Sequence, residues 1–272
     1  MKTVADALAV ARARGVDRLD AYLLLAHVMK QSRSWLLAND DARLNEEQQQ
    51  SMLSFIDRRA SGEPVAYLVG EKEFYGLTLR VSCAVLVPRP DTETLVDWAL
   101  ELMRSSPAPS SVLDMGTGSG AIALALKQNL PSAHVTALDT SAEALQVAND
   151  NAGQLQLDVR FLLSDWWEGV TGQRFDLIVS NPPYIASGDA HLSALQHEPQ
   201  MALTPGGDGL GALRHIVAGA PAHLKEGGWL LLEHGHDQAL AVAAMLVEQG
   251  FGFVTTRHDL PGNARCTGGR WG

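Results

Sequence analysis

From residue 111 onward, short apolar runs alternate with stretches of helical length, and this alternation limits the fold more than any other feature of the chain. The stretches Ala121–Asn129 and 142–152 have helical length. Continuous apolar strands separated by helices are typical of a parallel sheet that is covered on both faces. The sequence therefore predicts an α/β, Rossmann-like domain with a mostly parallel sheet and an antiparallel C-terminal edge strand. The predicted strands include 112–113, 135–138, 161–163, 177–179, 229–232 and, at the edge, 251–256 and the region around Cys266.

A glycine-rich loop follows the first of these strands. A strand, a glycine loop and a helix in that order place a nucleotide-like ligand at the carboxyl edge of the sheet, and glycines let the backbone approach it. The same letters also satisfy the dinucleotide pattern Gly-x-Gly-x-x-Ala, so a dehydrogenase is an alternative. The carboxylate before the loop favours S-adenosylmethionine, because it can face a cationic amino-acid tail but would repel a pyrophosphate. The candidate cofactor-binding residues are Asp114, Gly116, Thr117, Gly118, Ser119 and Gly120.

The ends of the next two strands supply further candidate cofactor residues. Asp139 closes the second strand, where its carboxylate can accept hydrogen bonds from both ribose hydroxyls. The alternative for Asp139 is a helix cap or a loop residue. Asp165 and Trp166 end the third strand and are predicted to border the adenine. A helix cap and a core tryptophan explain these two residues equally well.

The fourth strand leads directly into Asn181, Pro182, Pro183 and Tyr184, at the same predicted edge of the sheet. An amide or aromatic amino nitrogen is a poor nucleophile, because its lone pair is delocalised. The Asn181 side-chain oxygen and the Pro182 carbonyl can each accept one N–H and so orient the nitrogen. Tyr184 can stack on the planar group. This pattern predicts a methyltransferase acting on a planar nitrogen, with Asn181, Pro182 and Tyr184 as catalytic residues and Pro183 also at the substrate.

The first 62 residues differ in character from the rest of the chain. Apolar residues at Leu19, Leu23, Leu24 and Val28 have the spacing of one buried helix face. We therefore predict an N-terminal helical bundle over residues 1–62 that docks a substrate, a β-hairpin linker over 63–90 and a methyltransferase domain over 91–272.

Composition narrows the possible partners and location. The formal net charge of −10 disfavours a protein that holds a nucleic acid directly, because such proteins usually present a basic surface. Two widely separated cysteines and the absence of a long apolar N-terminal run fit a cytoplasmic protein with no membrane segment. His234 and His236 alternate faces if the strand before them continues, so we expect no metal.

Several motifs together resemble the HemK/PrmC family of protein-(glutamine-N5) methyltransferases, and the resemblance covers nearly the whole chain. It implies transfer of a methyl group from S-adenosylmethionine to the glutamine of the Gly-Gly-Gln motif in class I peptide-chain release factors. It also implies that Asn181 contacts the cofactor and that Arg89 and Glu198 border the substrate pocket, although a salt bridge and a helix-start carboxylate explain that pair equally well. The motifs are Gly62-Glu63-Pro64, Glu73-Phe74-Tyr75-Gly76, Val87-Pro88-Arg89-Pro90-Asp91-Thr92-Glu93, the glycine loop, Ser164-Asp165-Trp166, Asn181-Pro182-Pro183-Tyr184, Glu198-Pro199 and Leu231-Leu232-Glu233-His234-Gly235.

Two other functions compete with this one. The Asn-Pro-Pro-Tyr motif is shared with DNA adenine-N6 methyltransferases, so an adenine or guanine amino methyltransferase acting on DNA or RNA is the main alternative. It would need base flipping or a single strand, together with a basic groove. A non-catalytic S-adenosylmethionine-binding protein is less favoured, because such a module does not need two acceptors beside the methyl group.

Overall fold

The computed structural model describes residues 1–104 and 110–272, and the chain divides into two compact units. The first unit contains Met1–Glu71 and Ala194–His197. The second contains Lys72–Ser193 and Glu198–Gly272. Among the described residues, no helix combines the length and the apolar character needed to span a bilayer.

The first unit is helical, as the sequence predicts. Thr3 and Asn45 each form a capping box, in which the side chain accepts a backbone N–H and a side chain three residues on accepts the cap N–H. The buried core includes Leu25, Leu36 and Ile56. The helices are α1 (Val4–Ala13), α2 (Arg18–Met29), α3 (Arg33–Ala38), α4 (Glu46–Ala60) and α5 (Val65–Val69).

The buried face of α2 differs from the predicted one. Leu19 and Leu23 are 46% and 43% exposed, whereas Leu24 and Leu25 are fully buried. Helix α2 carries apolar residues on most of its circumference, so their spacing alone does not select the buried face. The contacts with α1, α3, α4 and α5 select it instead.

The segment predicted as a linker contains a helix as well as a hairpin. Pro64 immediately precedes α5, which packs against α2 and α4, so the first unit continues to Glu71 rather than ending at residue 62. The hairpin follows, with strands β1 (Glu71–Phe74) and β2 (Leu77–Arg80).

The large sheet of the second unit has the predicted mixed topology. Its strand order is β5-β4-β3-β6-β7-β9-β8. Neighbouring strands from β5 to β7 pair in parallel, and β9 pairs antiparallel with both β7 and β8. The α/β fold class with antiparallel pairing at one edge is thus confirmed. The strands are β3 (Ser111–Met115), β4 (His134–Asp139), β5 (Arg160–Leu163), β6 (Phe175–Ser180), β7 (Leu224–Glu233), β8 (Gly252–His258) and β9 (Ala264–Arg270).

Helices cover both faces of this sheet. One apolar cluster joins α6 and α7 to the sheet through residues such as Trp98 and Leu124. A second cluster joins α9 and α10 to the opposite face through Ile216 and Leu246. Because β3, β4, β5 and β6 are parallel, the loops after them meet at one edge. The helices are α6 (Glu93–Arg104), α7 (Ala121–Asn129), α8 (Ala142–Leu155), α9 (Gly211–His223) and α10 (Ala239–Gln249).

Candidate active site

A cavity at the carboxyl edge of the large sheet brings together most of the sequence-predicted site residues. Its apolar wall includes Phe74, Leu86 and Met201. The loops after four parallel strands form much of the rest, in agreement with the rule that ligands bind beyond the carboxyl ends of such strands. The predicted residues that line it are Arg89, Gly116, Thr117, Gly118, Ser119, Asp139, Asp165, Trp166, Asn181 and Pro183.

The glycine loop is fastened to the neighbouring strand. The backbone N–H groups of Gly116 and Thr117 donate to the Leu138 carbonyl at 2.9 and 3.0 Å. Gly118 and Gly120 have φ values of +55° and +83°, which glycine adopts without the strain of a side chain. Gly120 also has little free space around it, because a Cβ there would lie 3.0 Å from the Leu124 side chain.

Asp114 lies beneath this loop and is fully buried. Its Oδ2 accepts hydrogen bonds from the Thr117 hydroxyl at 2.7 Å and from the Ala123 N–H at 3.2 Å. Its Oδ1 is buried and has no hydrogen-bond partner within the described residues. Burial is the main cause that raises the pKa of Asp114 to about 7, and the nearby charge of Asp139 adds to it. A buried carboxylate with one unused acceptor fits a cationic partner.

Asp139 combines a structural role with exposure to the cavity. Its Oδ2 accepts the Gly118 N–H and its Oδ1 accepts the Ser141 N–H, both at 2.9 Å. Ser141, not Asp139, caps helix α8, with its hydroxyl accepting the Ala144 N–H. Burial raises the pKa of Asp139, and the backbone donors oppose that shift. Each carboxylate oxygen has a second lone pair, so acceptor capacity remains for a ligand hydroxyl.

The turn after β5 contains hydrogen bonds typical of a structural cap, and two of its residues also line the cavity. The Ser164 hydroxyl accepts the Gly169 N–H at 2.8 Å and bonds to the Trp166 carbonyl at 3.1 Å. Trp166 has φ +46°, an uncommon conformation for a residue with a side chain. Asp165 and Trp166 nevertheless line the cavity, and Trp166 also packs against the apolar cluster on the α9 face.

The Asn181 side chain is oriented by a residue that the sequence analysis did not single out. Its Nδ2 donates to the Thr92 hydroxyl at 3.3 Å. Thr92 is buried in a short 3-10 helix, Pro90–Thr92, that precedes α6. Since the amide nitrogen has this partner, the amide oxygen is the group left for a substrate N–H. Pro183 lines the cavity beside Asn181, whereas Pro182 is buried.

Tyr184 has a different environment from the predicted stacking position. It is outside the set of described residues that line the cavity and packs against the α9-face cluster. Its hydroxyl lies 3.4 Å from Glu233 Oε1, and its carbonyl accepts a hydrogen bond from Gln238 at 2.9 Å. Burial, followed by the charge of Glu233, raises the pKa of Tyr184. These contacts help to fix the position of the loop that contains Asn181 and Tyr184. Stacking of the Tyr184 ring on a substrate stays a prediction.

Arg89 and Glu198 form the salt bridge that was one of the two interpretations. Glu198 Oε1 accepts from the Arg89 guanidinium and its Oε2 accepts the Val87 N–H at 3.0 Å. The Glu198 side chain is almost completely buried, whereas about a third of the Arg89 side chain is exposed. Glu198 therefore fixes the segment before α6, and Arg89 is the member of the pair that reaches the cavity.

The sequence analysis assigned no site role to three residues near the Asn181 loop. They are Thr92, Glu233 and Arg265. Thr92 and Glu233 lie within quoted motifs, so the motifs themselves were the available signal. Arg265 carries no such signal, because its ion pairs with Asp91 and Asp259, both at 3.1 Å, depend on β9 pairing beside β7.

The histidines after β7 have protein partners. His234 Nε2 lies 2.7 Å from the Thr267 hydroxyl and its Nδ1 lies 2.8 Å from the Gly235 carbonyl oxygen. Burial is the main cause that lowers the pKa of His234. Within residues 1–104 and 110–272, no group of three or more His, Cys, Asp or Glu side chains is arranged to hold a metal ion.

The cavity residues fit the predicted cofactor. Asp139 offers acceptors for hydroxyls, and the positive-φ glycines keep the loop free of side chains. Asp114 lies beneath the loop and outside the set of described residues that line the cavity, and its unused acceptor suits an ammonium group. A glycine-loop cavity beside an Asn-Pro-Pro-Tyr loop, on a sheet of this strand order, defines a Rossmann-like methyltransferase.

Comparison with known proteins identifies the family. Residues 94–210 match the model described as Methyltransferase small domain, and residues 2–70 match the PrmC N-terminal domain. The release factor glutamine methyltransferase of Xylella fastidiosa is 48% identical over 97% of both chains. That of Bordetella pertussis is 48% identical over 94% of this chain and 95% of its own. The chain belongs to the release factor glutamine methyltransferase family.

Solved structures agree on the fold. A methyltransferase from Pyrococcus furiosus has a TM-score of 0.55 and 19% identity, and covers 84% of this chain and 100% of its own. The T. thermophilus 16S rRNA N2 G1207 methyltransferase, solved with AdoMet and guanosine, also has a TM-score of 0.55, at 23% identity, over 74% of this chain and 50% of its own. At these identities the likeness establishes the fold alone.

Proposed function

We propose that the protein transfers a methyl group from S-adenosylmethionine to the side-chain amide nitrogen of the glutamine in the Gly-Gly-Gln motif of class I release factors. The observation that carries this proposal is the Asn181 amide at the cavity, whose nitrogen donates to Thr92 and whose oxygen is left to accept an N–H. Membership of the release factor glutamine methyltransferase family supports the choice of substrate.

The residues proposed to hold the cofactor are those of the glycine loop and of the two following strand ends. When bound, S-adenosylmethionine supplies a methyl group activated by a sulfonium. Asp114 would attract the cationic tail, Asp139 would accept from the ribose hydroxyls, and Asp165 and Trp166 would border the adenine. The placement of Asp139, Asp165 and Trp166 along one cavity supports this assignment.

The residues proposed to act on the substrate orient a planar amide. The Asn181 oxygen accepts one N–H of the glutamine amide and the Pro182 carbonyl accepts the other, so that the nitrogen lone pair is aimed at the methyl group. Holding a reactive group in this way can contribute about 7–11 kcal/mol in favourable cases. The same acceptors stabilise the positive charge that develops on nitrogen as the new bond forms.

A protein substrate is favoured over a nucleic acid by charge. The chain carries a formal net charge of −10, and binding to DNA or RNA phosphates would require a basic surface. We infer that it acts in the cytoplasm, where translation occurs, and that the N-terminal helical unit helps to dock the release factor.

The test is transfer of labelled methyl from S-adenosylmethionine to a purified class I release factor. Parallel reactions contain a factor whose Gly-Gly-Gln glutamine is replaced by alanine, DNA, and RNA. Label on the intact factor alone is the expected result. Label on nucleic acid, or on the factor that lacks this glutamine, would overturn the proposed substrate.

The variant Asn181→Ala tests the assigned chemistry. It should keep most of the cofactor affinity but lose about 10²–10³-fold in kcat, because the amide acceptor is removed. Full turnover in this variant would contradict the mechanism even if the substrate assignment holds.

A further inference from the structure

The loop that contains Asn181 is held by backbone hydrogen bonds at both of its ends. At the first end, Ser180 is the last residue of β6 and pairs with both β3 and β7. At the second end, the Ile185 N–H donates to the Leu203 carbonyl at 2.9 Å. Leu203 directly precedes the glycine-rich stretch 204–209. Only four residues therefore lie between the two fixed ends of the loop.

Two of these four residues are prolines, which make the loop stiff. The rings of Pro182 and Pro183 each hold φ near −65°. A displacement of the Tyr184 backbone is therefore passed on towards Asn181 and Pro182, because few torsion angles are free to absorb it. Asn181 and Pro182 carry the two oxygen atoms that are proposed to accept from the substrate amide. The position of the Tyr184 backbone thus affects the geometry of the proposed chemistry.

The side-chain amide of Gln238 holds the Tyr184 backbone. Its Nε2 donates to the Tyr184 carbonyl and its Oε1 accepts the Gly235 N–H, both at 2.9 Å. A backbone N–H can only donate and a carbonyl can only accept, so these two partners select one orientation of the amide. The Gln238 N–H also donates to the Gly235 carbonyl at 2.9 Å. Gln238 therefore joins the turn after β7 to the loop after β6.

Gly209 packs against the same part of the loop. A Cβ at this position would lie 2.3 Å from the Tyr184 carbonyl oxygen, 3.0 Å from the Ala186 nitrogen and 3.1 Å from Gln238 Nε2. A carbon atom cannot approach a backbone oxygen this closely, so a side chain here would displace the Tyr184 backbone. Gly209 also has φ +80°, which glycine adopts without strain. The hydrogen bond between Gln238 and Tyr184 therefore requires a residue without a side chain at position 209.

We propose that Gln238 and Gly209 are positioning residues, which hold the backbone at Tyr184 and so set the place of the two oxygen atoms that accept from the substrate amide. This rests on the proposed function of Asn181 and Pro182. Gln238 and Gly209 lie outside the set of described residues that line the cavity, so they act through the loop. Misplacement of a reacting group by about 1 Å can lower a rate about 100-fold, so small displacements of the loop should be visible in kcat.

Variants of Gln238 test the two hydrogen bonds of its amide. Gln238→Glu keeps an acceptor for the Gly235 N–H but places a carboxylate against the Tyr184 carbonyl, whereas Gln238→Met removes both bonds. Both variants should lower kcat for release-factor methylation about 10- to 100-fold, with KM and cofactor Kd changed less than about threefold. The matched control is Gln249, exposed at the end of α10, where the same two replacements should leave kcat unchanged. Wild-type kcat in both Gln238 variants would overturn the role of Gln238.

Alanine variants test Gly209 against a glycine with the same backbone strain. Gly172 has φ +77°, and within the described residues nothing lies within 4 Å of an added Cβ. Gly209→Ala should lower kcat about 100-fold with a much smaller change in KM, whereas Gly172→Ala should keep the wild-type kcat. Equal kcat in the two variants would overturn the role of Gly209. A melting curve verifies folding, and the Gln238 variants, which add no atoms beside the Tyr184 backbone, decide the proposal if Gly209→Ala does not fold.

A second measurement does not depend on any substrate. In ¹⁵N-labelled protein, the Asn181 side-chain amide signals can be assigned by their loss in Asn181→Ala. They should shift in Gln238→Met and Gly209→Ala and stay in place in Gln249→Met and Gly172→Ala. Unchanged Asn181 signals in both Gln238→Met and Gly209→Ala would overturn the proposed positioning. A clear shift beside a wild-type protein inactive on release factors would instead show that the proposed substrate is wrong and the positioning is right.

Discussion

The Asp139 carboxylate accepts the backbone N–H of Gly118 at 2.9 Å, so the end of β4 holds the middle of the glycine loop in place. Its other oxygen accepts the Ser141 N–H, also at 2.9 Å, at the start of α8. One side chain thus connects the loop after β3 with the loop after β4. The link therefore contributes to the shape of the cavity wall, together with the glycines.

The Asp139→Asn variant tests this link. Asparagine keeps the size of the side chain but replaces one acceptor with an NH₂ group, which would face a backbone N–H. We expect the Kd for S-adenosylmethionine to rise about tenfold or more, because a hydrogen bond to a charged group is worth about 1.5–3 kcal/mol. Isothermal titration calorimetry measures this, and Asp150→Asn on the exposed side of α8 is the control. An unchanged Kd for Asp139→Asn would refute the expected role.

Gly120 and Gly172 have similar φ angles but different surroundings. Alanine at each position therefore distinguishes the cost of a steric clash from the cost of backbone strain. Gly120 has φ +83° and an added Cβ would lie 3.0 Å from Leu124 and 3.2 Å from Ala148. Gly172 has φ +77°, and within the described residues nothing lies within 4 Å of an added Cβ. Alanine at Gly172 should therefore cost about 1 kcal/mol of unfolding free energy from strain alone. Alanine at Gly120 should cost about 1–3 kcal/mol more, because the Leu124 side chain must move.

Chemical denaturation of both variants measures this difference. We also expect Gly120→Ala to weaken cofactor binding, since the glycine loop must shift with it, and Gly172→Ala to leave cofactor binding unchanged. Equal losses of stability in the two variants would show that crowding at Gly120 is relieved without cost.

The sheet was predictable because its signals are local. Continuous apolar runs identify buried parallel strands wherever they occur, and the helix Ala121–Asn129 has the predicted bounds. The position of β9 between β7 and β8 was not predictable, since it depends on pairing between distant strands. The buried face of α2 was predicted wrongly for a similar reason. It depends on where the neighbouring helices pack, and the spacing of the α2 leucines does not show which side they cover.

The candidate site was predictable where one motif supplies both the backbone and the side chain. The stretch 116–119 of the glycine loop and Asn181 line the cavity, whereas Gly120 lies outside the set of described residues that line it. The contact from Asn181 to Thr92 joins residues 89 positions apart, and no spacing rule reveals it. Tyr184 shows a different case, because its place in the motif predicts a substrate contact that stays a prediction, while its half-buried ring packs against the apolar cluster on the α9 face.

The raised pKa of Asp114 predicts how stability depends on pH. Burial raises the pKa to about 7, so the native state holds a proton that the unfolded state has already released above about pH 4. Stability should therefore fall as the pH rises from about 4 to about 7, and this contribution should be constant above that range. Asp114→Asn should remove this part of the pH dependence, which urea denaturation at several pH values can measure.

Cofactor binding should show the opposite trend at the same residue. A cationic ammonium group favours ionised Asp114, so affinity for S-adenosylmethionine should increase as the pH rises from about 5 to about 7. Binding near pH 6 should release a proton, which calorimetry in buffers of different ionisation enthalpy detects. In Asp114→Asn the affinity should be lower and nearly independent of pH. An equally steep pH dependence in that variant would assign the effect to another group.

Two exposed leucines on α2 offer a test of the proposed docking role of the N-terminal unit. Leu19 and Leu23 are one helical turn apart and 46% and 43% exposed, so each can be changed without opening the core. If this face helps to bind the release factor, Leu19→Glu with Leu23→Glu should raise KM for the factor about tenfold or more, because burying two charges in an interface is costly. The kcat and the cofactor Kd should stay within about twofold, since the cavity residues belong to the second unit.

The control changes the exposed Leu240 of α10 to glutamate, which adds one negative charge elsewhere on the molecule, against two in the α2 variant. Steady-state kinetics with varied release factor gives both constants, and a melting curve for each variant verifies folding. A higher KM in the α2 variant alone would place the docking surface on that helix. Equal KM values in the α2 variant, the Leu240→Glu control and the wild type would exclude this face of α2 from docking, whatever the rest of the helical unit does.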